Sequence, residues 1–159
     1  MGSKFKYYRL LYSLFALFTL VPLVYLQITM NSPSLFQPYT LVNFLAVFAG
    51  ILGIIGLFLS LKKYIVSPEG FHDLFFEGMK PVLQTNGLHA RVRHPIYFFT
   101  FLVIWSVFLA KPLLSILLVN SVITLYTLIA IRFEERKLIG LYGKEYEDYR
   151  KRVPMLLPF

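Results

Sequence analysis

The sequence predicts an all-α integral membrane protein of about four transmembrane helices, ending in a helical hairpin and an amphipathic tail helix at the cytoplasmic face. Three observations predict it. Hydrophobic residues make up 57% of the 159-residue chain and charged ones only 15%, with mean hydropathy +0.65; soluble domains carry about 25% charged residues. Four apolar runs stand apart along the chain. With the N-terminus placed in the cytoplasm, 16 basic residues divide so that Lys111 alone falls outside, and all eight acidic residues fall inside, the asymmetry expected of positive-inside topology.

The first span is residues 10–30, "LLYSLFALFTLVPLVYLQITM", about the length a bilayer needs. It is longer than a signal-peptide core and lacks a small-residue cleavage site; Pro22 is expected to kink it. A short uncharged loop comes next, "NSPSLFQPY", and then the second span, residues 40–61. In that span Ala46, Ala49, Gly50, Gly53 and Gly56 recur at helical spacing, a stripe that lets a second helix approach closely. Residues 62–94 form a polar cytoplasmic connection whose "GFHDLFF" stretch reads as resting on the membrane interface. The third span, residues 95–110, begins with Pro95, which suits a first helical position because its missing N–H costs nothing there. "KP" at 111–112 turns the chain, and the fourth span returns over 113–131. In the tail, 132–159, Leu138, Tyr142, Tyr146, Tyr149 and Val153 step by three or four, one face of a helix interrupted near Gly140 and Gly143 and lying on the membrane surface. The whole is a single membrane domain, 1–159.

Composition also excludes functions. There is no cysteine, hence no disulfide, thiolate nucleophile or thiolate metal site. His72, His89 and His94 show no metal-binding spacing, so no metal is expected. The charge of +8 reads as topology signal and contact with anionic membrane lipids rather than as a nucleic-acid footprint.

Chemistry concentrates at the open end of the hairpin. "RVRHP" precedes the third span and "RFEER" comes after the fourth, so an antiparallel pair brings both to the cytoplasmic face. Arginine, histidine and two glutamates converge there, a mixture suited to a zwitterionic, nucleotide-like ligand. Plainer readings stand beside it: Arg91 and Arg93 as topology anchors, Glu134 and Glu135 paired with Arg132 or Arg136 along their own helix, and the tyrosines as an interfacial belt.

From roughly Leu83 to Phe159 the chain resembles the isoprenylcysteine carboxyl methyltransferase family, part of a wider group of integral-membrane methyltransferases that includes phospholipid methyltransferases. Two blocks carry the resemblance. "LQTNGLHARVRHPIY" is similar to the family's Leu-x-Thr-x-Gly followed by Arg-His-Pro-x-Tyr, and "EERKLIGLYGKEYEDYRKRVPMLLPF" to its Glu-Glu and Tyr-rich ending. The resemblance implies S-adenosylmethionine as methyl donor, held by Gly87, His94, Pro95, Tyr97, Glu134, Glu135, Tyr146 and Tyr149. Arg93, Glu134 and Glu135 are the candidate catalytic residues, with the fork of Arg93 gripping a carboxylate. The implied acceptor is lipophilic or membrane-borne: a prenylcysteine carboxylate, a lipid amine or a thiol. Two positions depart from the pattern. Phe99 stands where the family often has Gly; facing the lipid or the pocket, it implies an acceptor site narrower than or differently shaped from the family norm, and His89 stands where the family often has an aromatic. Membrane sterol reductases using NADPH have a similar tail, but usually a cysteine that this chain lacks; a non-catalytic membrane subunit is the reading from another class.

Overall fold

The computed structural model describes residues 32–66 and 82–157, together with Tyr25 and Thr29, all-helical in its regular structure. Apart from Tyr25 and Thr29, the expected first span (10–30) with its Pro22 kink, and the "GFHDLFF" interfacial stretch, lie outside the described residues. The α-helices are, in order, α1, Thr40–Val66; α2, Pro95–Ala110; α3, Leu114–Tyr142; and α4, Lys144–Arg152, with a short 3-10 turn, Gly87–Ala90, ahead of α2.

Two of these helices are long and apolar enough to cross a membrane: α1 over Thr40–Lys62, and α3. In their apolar windows only 22% and 17% of residues are buried inside the protein, whereas the core helix of a soluble protein buries most of its length. Phe44, Phe48, Ile51, Ile55 and Phe58 of α1 and Leu118, Val122, Leu125 and Ile129 of α3 are exposed; these are membrane-protein surfaces. The shorter α2 is apolar throughout.

The most extensive helix contact is α1 against α2, and the small-residue stripe makes it. A Cβ on Gly56 would clash with the Phe99 ring; one on Gly53 would meet Val103 Cγ2 at 2.6 Å and the Phe99 carbonyl at 3.2 Å; one on Gly50 would meet Ser106 Oγ at 3.0 Å. Phe99, Val103 and Ser106 thus form the face of α2 that seats on α1. This corrects the expectation that Phe99 faces the lipid or the pocket: its ring packs into the gap left by Gly56, away from the face that carries Tyr97.

The α2–α3 hairpin is held by side chains more than by backbone approach. Asn120 Nδ2 donates to the Ile104 carbonyl (2.7 Å) and Trp105 Nε1 to Thr124 Oγ1 (3.2 Å), polar links of the kind that join membrane helices where no hydrophobic force distinguishes helix from lipid. At the turn, Leu35 N donates to the Pro112 carbonyl and Leu114 N to the Pro33 carbonyl, and Ser115 N donates to Ser32 Oγ. These bonds tie the segment before α1 to the hairpin tip.

Two boundaries differ from expectation. α1 continues past residue 61 to Val66, because nothing in "LKKYIV" breaks a helix. α3 does not stop at 131; it runs unbroken through the charged "RFEERKLIGLY" and through Gly140 to Tyr142. The break falls at Gly143 alone, whose φ of +58° ends the helix in a conformation that disfavours a side chain. The apolar stretch from Leu114 to Ile131 rises roughly 27 Å at 1.5 Å per residue, close to the bilayer core's ~30 Å. The charged turn beyond it, with Glu134 and Glu135, therefore follows a stretch of about membrane-spanning length while still on the same continuous helix.

Gly56→Ala is expected to destabilise the protein by about 1–3 kcal/mol through overpacking. Phe99→Ala in the same background should recover much of that loss, because the two positions share one space. Gly140→Ala, which meets nothing within 4 Å, should be neutral or slightly stabilising. Melting temperatures of the purified variants check all three.

Candidate functional site

The site forms where the start of α2, the charged end of α3 and the tail meet. Gly87 opens the 3-10 turn with φ +67°; it is exposed and shapes the backbone rather than joining the cluster. From this turn the chain doubles back. His89 Nδ1, protonated in this contact, donates to the Arg93 carbonyl (3.2 Å), and the His89 carbonyl accepts from the Tyr149 hydroxyl (2.6 Å). The departure at position 89 thus fastens the loop. Pro95 is fully buried at the first position of α2.

Arg93 is the hub. Its Nε and Nη2 both reach Glu135 Oε1 at 2.7 Å, and its Nη1 donates to the carbonyls of Arg150 (2.9 Å) and Val153 (2.5 Å). Four of the five guanidinium N–H groups are so occupied by the chain itself. The backbone continues the join: Arg93 N donates to the Pro154 carbonyl and His94 N to that of Met155. The tail lies along residues 93–94, and the fork expected to grip a ligand carboxylate holds the tail instead.

His94 stands between the two glutamates. Its Nε2 is 3.4 Å from Glu135 Oε1 and its Nδ1 is 3.8 Å from Glu134 Oε2. The His94 side chain is 5% exposed, and burial pulls its pKa below 6.5 against the upward pull of Glu134 and Glu135, so the imidazole is neutral at neutral pH. The glutamates differ: Glu135 is 10% exposed and paired with Arg93, whereas Glu134 is 45% exposed. Tyr97 stacks obliquely near His94, with ring centroids 5.8 Å apart, and its hydroxyl faces Glu134. Neither glutamate pairs with Arg132 or Arg136; Arg136 lies over the Phe133 ring. The within-helix alternative for these carboxylates is therefore not the arrangement adopted.

Tyr146 and Tyr149 are buried rather than interfacial. With Val153 they form a core packed by Leu83, Leu138, Ile139 and Tyr142, so the predicted tail face does converge, across the break at Gly143. The Tyr146 hydroxyl is buried and forms no hydrogen bond. Burial first, and then the Glu135 carboxylate it faces, push its pKa far above 10. Arg91, by contrast, is exposed, in keeping with an anchor. Among the described residues no group of His, Asp or Glu is arranged to hold a metal.

Sequence reasoning missed the tail carbonyls of Arg150 and Val153, because backbone acceptors carry no residue signature. It also missed Asn120, whose signal was present: a lone amide in "LLVNSVIT" is a polar group in an apolar span, and such groups have partners.

Long apolar helices with a carboxylate–imidazole–guanidinium cluster at one end define a membrane protein with a buried polar cluster. The chain belongs to the phospholipid methyltransferase family, whose model matches residues 42–145. Among curated relatives, a methanethiol S-methyltransferase of Crocosphaera subtropica is 42% identical over 78 residues, 48% of this chain and 29% of the relative. Protein-S-isoprenylcysteine O-methyltransferases of Schizosaccharomyces pombe (38% over 80 residues; 48% of this chain, 33% of the relative) and Mus musculus (39% over 83 residues; 48% and 28%) are also similar, which bears out the family resemblance read from the two blocks. The matches span a third or less of the length of these relatives. No solved structure gives a significant match.

Tyr146→Phe should leave the melting temperature at pH 7 unchanged or raise it, since the hydroxyl removed has no hydrogen bond to lose. The native state keeps the phenol protonated above the unfolded value of 10. Wild-type stability should therefore fall as pH rises beyond 10, and the variant should lack that component of the fall. Thermal melts between pH 7 and 11 read both effects.

Proposed function

We propose that the chain is an S-adenosylmethionine-dependent methyltransferase acting on a lipophilic or membrane-borne acceptor. The observation that carries this reading is Glu134: a half-exposed carboxylate at the mouth of a buried His94–Glu135–Arg93 cluster, in a chain whose family is that of the phospholipid methyltransferases. Its relatives' names give methanethiol and isoprenylcysteine as acceptors.

The residues fit such a donor. With His94 neutral, one guanidinium faces two carboxylates, leaving the cluster one negative charge in excess, complementary to a donor with one net positive charge. Glu134 is open to an amino or hydroxyl donor, and the buried Tyr146 hydroxyl has a hydrogen bond still to make. His94, Pro95, Tyr97 and Tyr149 frame these groups, with Gly87 shaping the turn that leads to them. When bound, S-adenosylmethionine supplies a methyl group on a positively charged sulfur. The chain's own task is to position the reactants and exclude water, which together supply up to roughly 7–11 kcal/mol in well-aligned reactions. In this reading Arg93 is a positioning residue: it fixes Glu135 and the tail, and Glu135 in turn holds His94. The charge asymmetry supports a multi-pass topology with both termini and the site on the cytoplasmic side, where the water-soluble donor is available.

S-adenosylmethionine is expected to raise the melting temperature of the purified protein, as a ligand of the folded state must, and radiolabelled methyl should pass into a membrane lipid or protein extract. NADPH, a polyanion, should do neither. Stabilisation by NADPH and not by the methyl donor would replace this reading with a reductase.

A further inference from the structure

Histidine is the side chain whose charge changes near neutral pH, and His94 occupies the middle of the cluster. It is buried, yet it stands between two carboxylates, with Glu135 3.4 Å from Nε2 and Glu134 3.8 Å from Nδ1. A neutral imidazole has one N–H, so one of these contacts sets a ring lone pair towards a carboxylate oxygen. Glu135 already accepts two N–H groups from Arg93. Glu134 is the half-exposed member. A second proton on the ring would give each carboxylate an N–H. It would also cancel the one negative charge by which the row Arg93–Glu135–His94–Glu134 is in excess.

The groups that face the imidazole set where it titrates. Burial opposes the charged ring most strongly, Glu134 and Glu135 on α3 favour it, and the Arg93 guanidinium opposes it; the sum holds its pKa below 6.5. Tyr97 of α2 faces the ring at 5.8 Å between centroids, and the tail meets residue 94 at its backbone, through the Met155 carbonyl. Neither brings a charge to the ring.

Resting on the methyltransferase reading above, we propose that a proton on His94 and the positively charged methyl donor compete for the same cluster, so that acid releases the donor. Both species answer the same excess negative charge. Once the ring carries its second proton, Glu134 also faces an N–H of its own protein in place of the donor's amino or hydroxyl groups. The coupling is reciprocal: a bound donor makes the proton harder to add. His89 lies outside this competition, because its Nδ1 faces the Arg93 carbonyl and not the carboxylate row. A proton on Glu134 itself would act in the same direction as one on His94, and removal of the His94 ring separates the two.

The test uses the full chain in lipid discs, with nitrogen-labelled histidine and S-adenosylmethionine as ligand, between pH 5 and 7, where the donor's own charge is constant. NMR of the ring nitrogens should show His94 titrating below 6.5 without donor and at lower pH with it, while His89 keeps its midpoint. Calorimetry should show donor affinity falling about tenfold for each pH unit below the donor-free His94 midpoint, as the competent fraction of the protein falls. His94→Gln keeps a hydrogen-bonding side chain but cannot take the proton, and its donor affinity should not vary over this range. His89→Gln should behave as wild type. If His94→Gln does not fold, the donor-dependent shift of the His94 midpoint in wild type decides alone. A His94 ring that takes no proton above pH 5, a midpoint that donor leaves unmoved, or a loss of affinity that persists in His94→Gln would each overturn the proposal and leave the methyltransferase reading standing. Absence of donor binding at pH 7 would remove both.

Discussion

The site depends on one guanidinium. Arg93 precedes α2 by two residues, yet it reaches Glu135 on α3 and two carbonyls near the end of α4. A buried ion pair is not stabilising by itself, because desolvation of the charges offsets their attraction. Here the remaining N–H groups meet carbonyls, so the desolvated charge is hydrogen-bonded on nearly every side. Arginine suits this place for its planar, always-charged fork, which addresses a carboxylate with two N–H groups and still has donors for backbone. The consequence of the contact is geometric: Glu135 is fixed, His94 beside it is held, and the tail is drawn along residues 93–94 so that Tyr146 and Tyr149 bury their rings.

Helix packing delivers the same residues to that place. α2 presents Phe99, Val103 and Ser106 to the glycines of α1, and Tyr97, Ile104 and Trp105 to α3. The first face is closed at the level of backbone contact. The second is bridged by side chains, and at its boundary end sit Tyr97, His94 and Glu134. The Glu134 end of the cluster therefore opens on the α2–α3 side of the protein, while the α1–α2 seam packs the helices together. The cluster and the packing seam lie on opposite faces of a single 16-residue helix.

Much of this was legible in the sequence because it rests on local rules. Pro95 and the "KP" turn set the bounds of α2, which match expectation at both ends. The glycine spacing announced a close helix partner, and the "RVRHP" and "RFEER" ends did converge. The illegible part is long-range. Nothing in the order of residues says that Arg93 will pair with Glu135, 42 positions on, rather than with a ligand, since charge and shape permit both. Phe99 was misplaced for a related reason: its distance from the motif tyrosine suggested the site, but two residues along a helix turn a side chain about 200° away. The continuation of α3 past Ile131 was hidden by a change of solvent rather than of structure, because the charged "RFEERKL" is as good a helix former as the apolar residues before it.

The central claim is that Arg93 holds the tail to the start of α2. Hydrogen–deuterium exchange on Arg93→Lys tests it most directly, because lysine keeps the charge and loses the fork. The amides of Arg93, His94 and Val153, which bond to Pro154, Met155 and Tyr149, should exchange at least tenfold faster, the effect of about 1.4 kcal/mol, while the amides of α1 and α2 facing one another keep their protection. Unchanged exchange at those three amides would contradict the account, because the tail would then be held by its tyrosine core without the guanidinium.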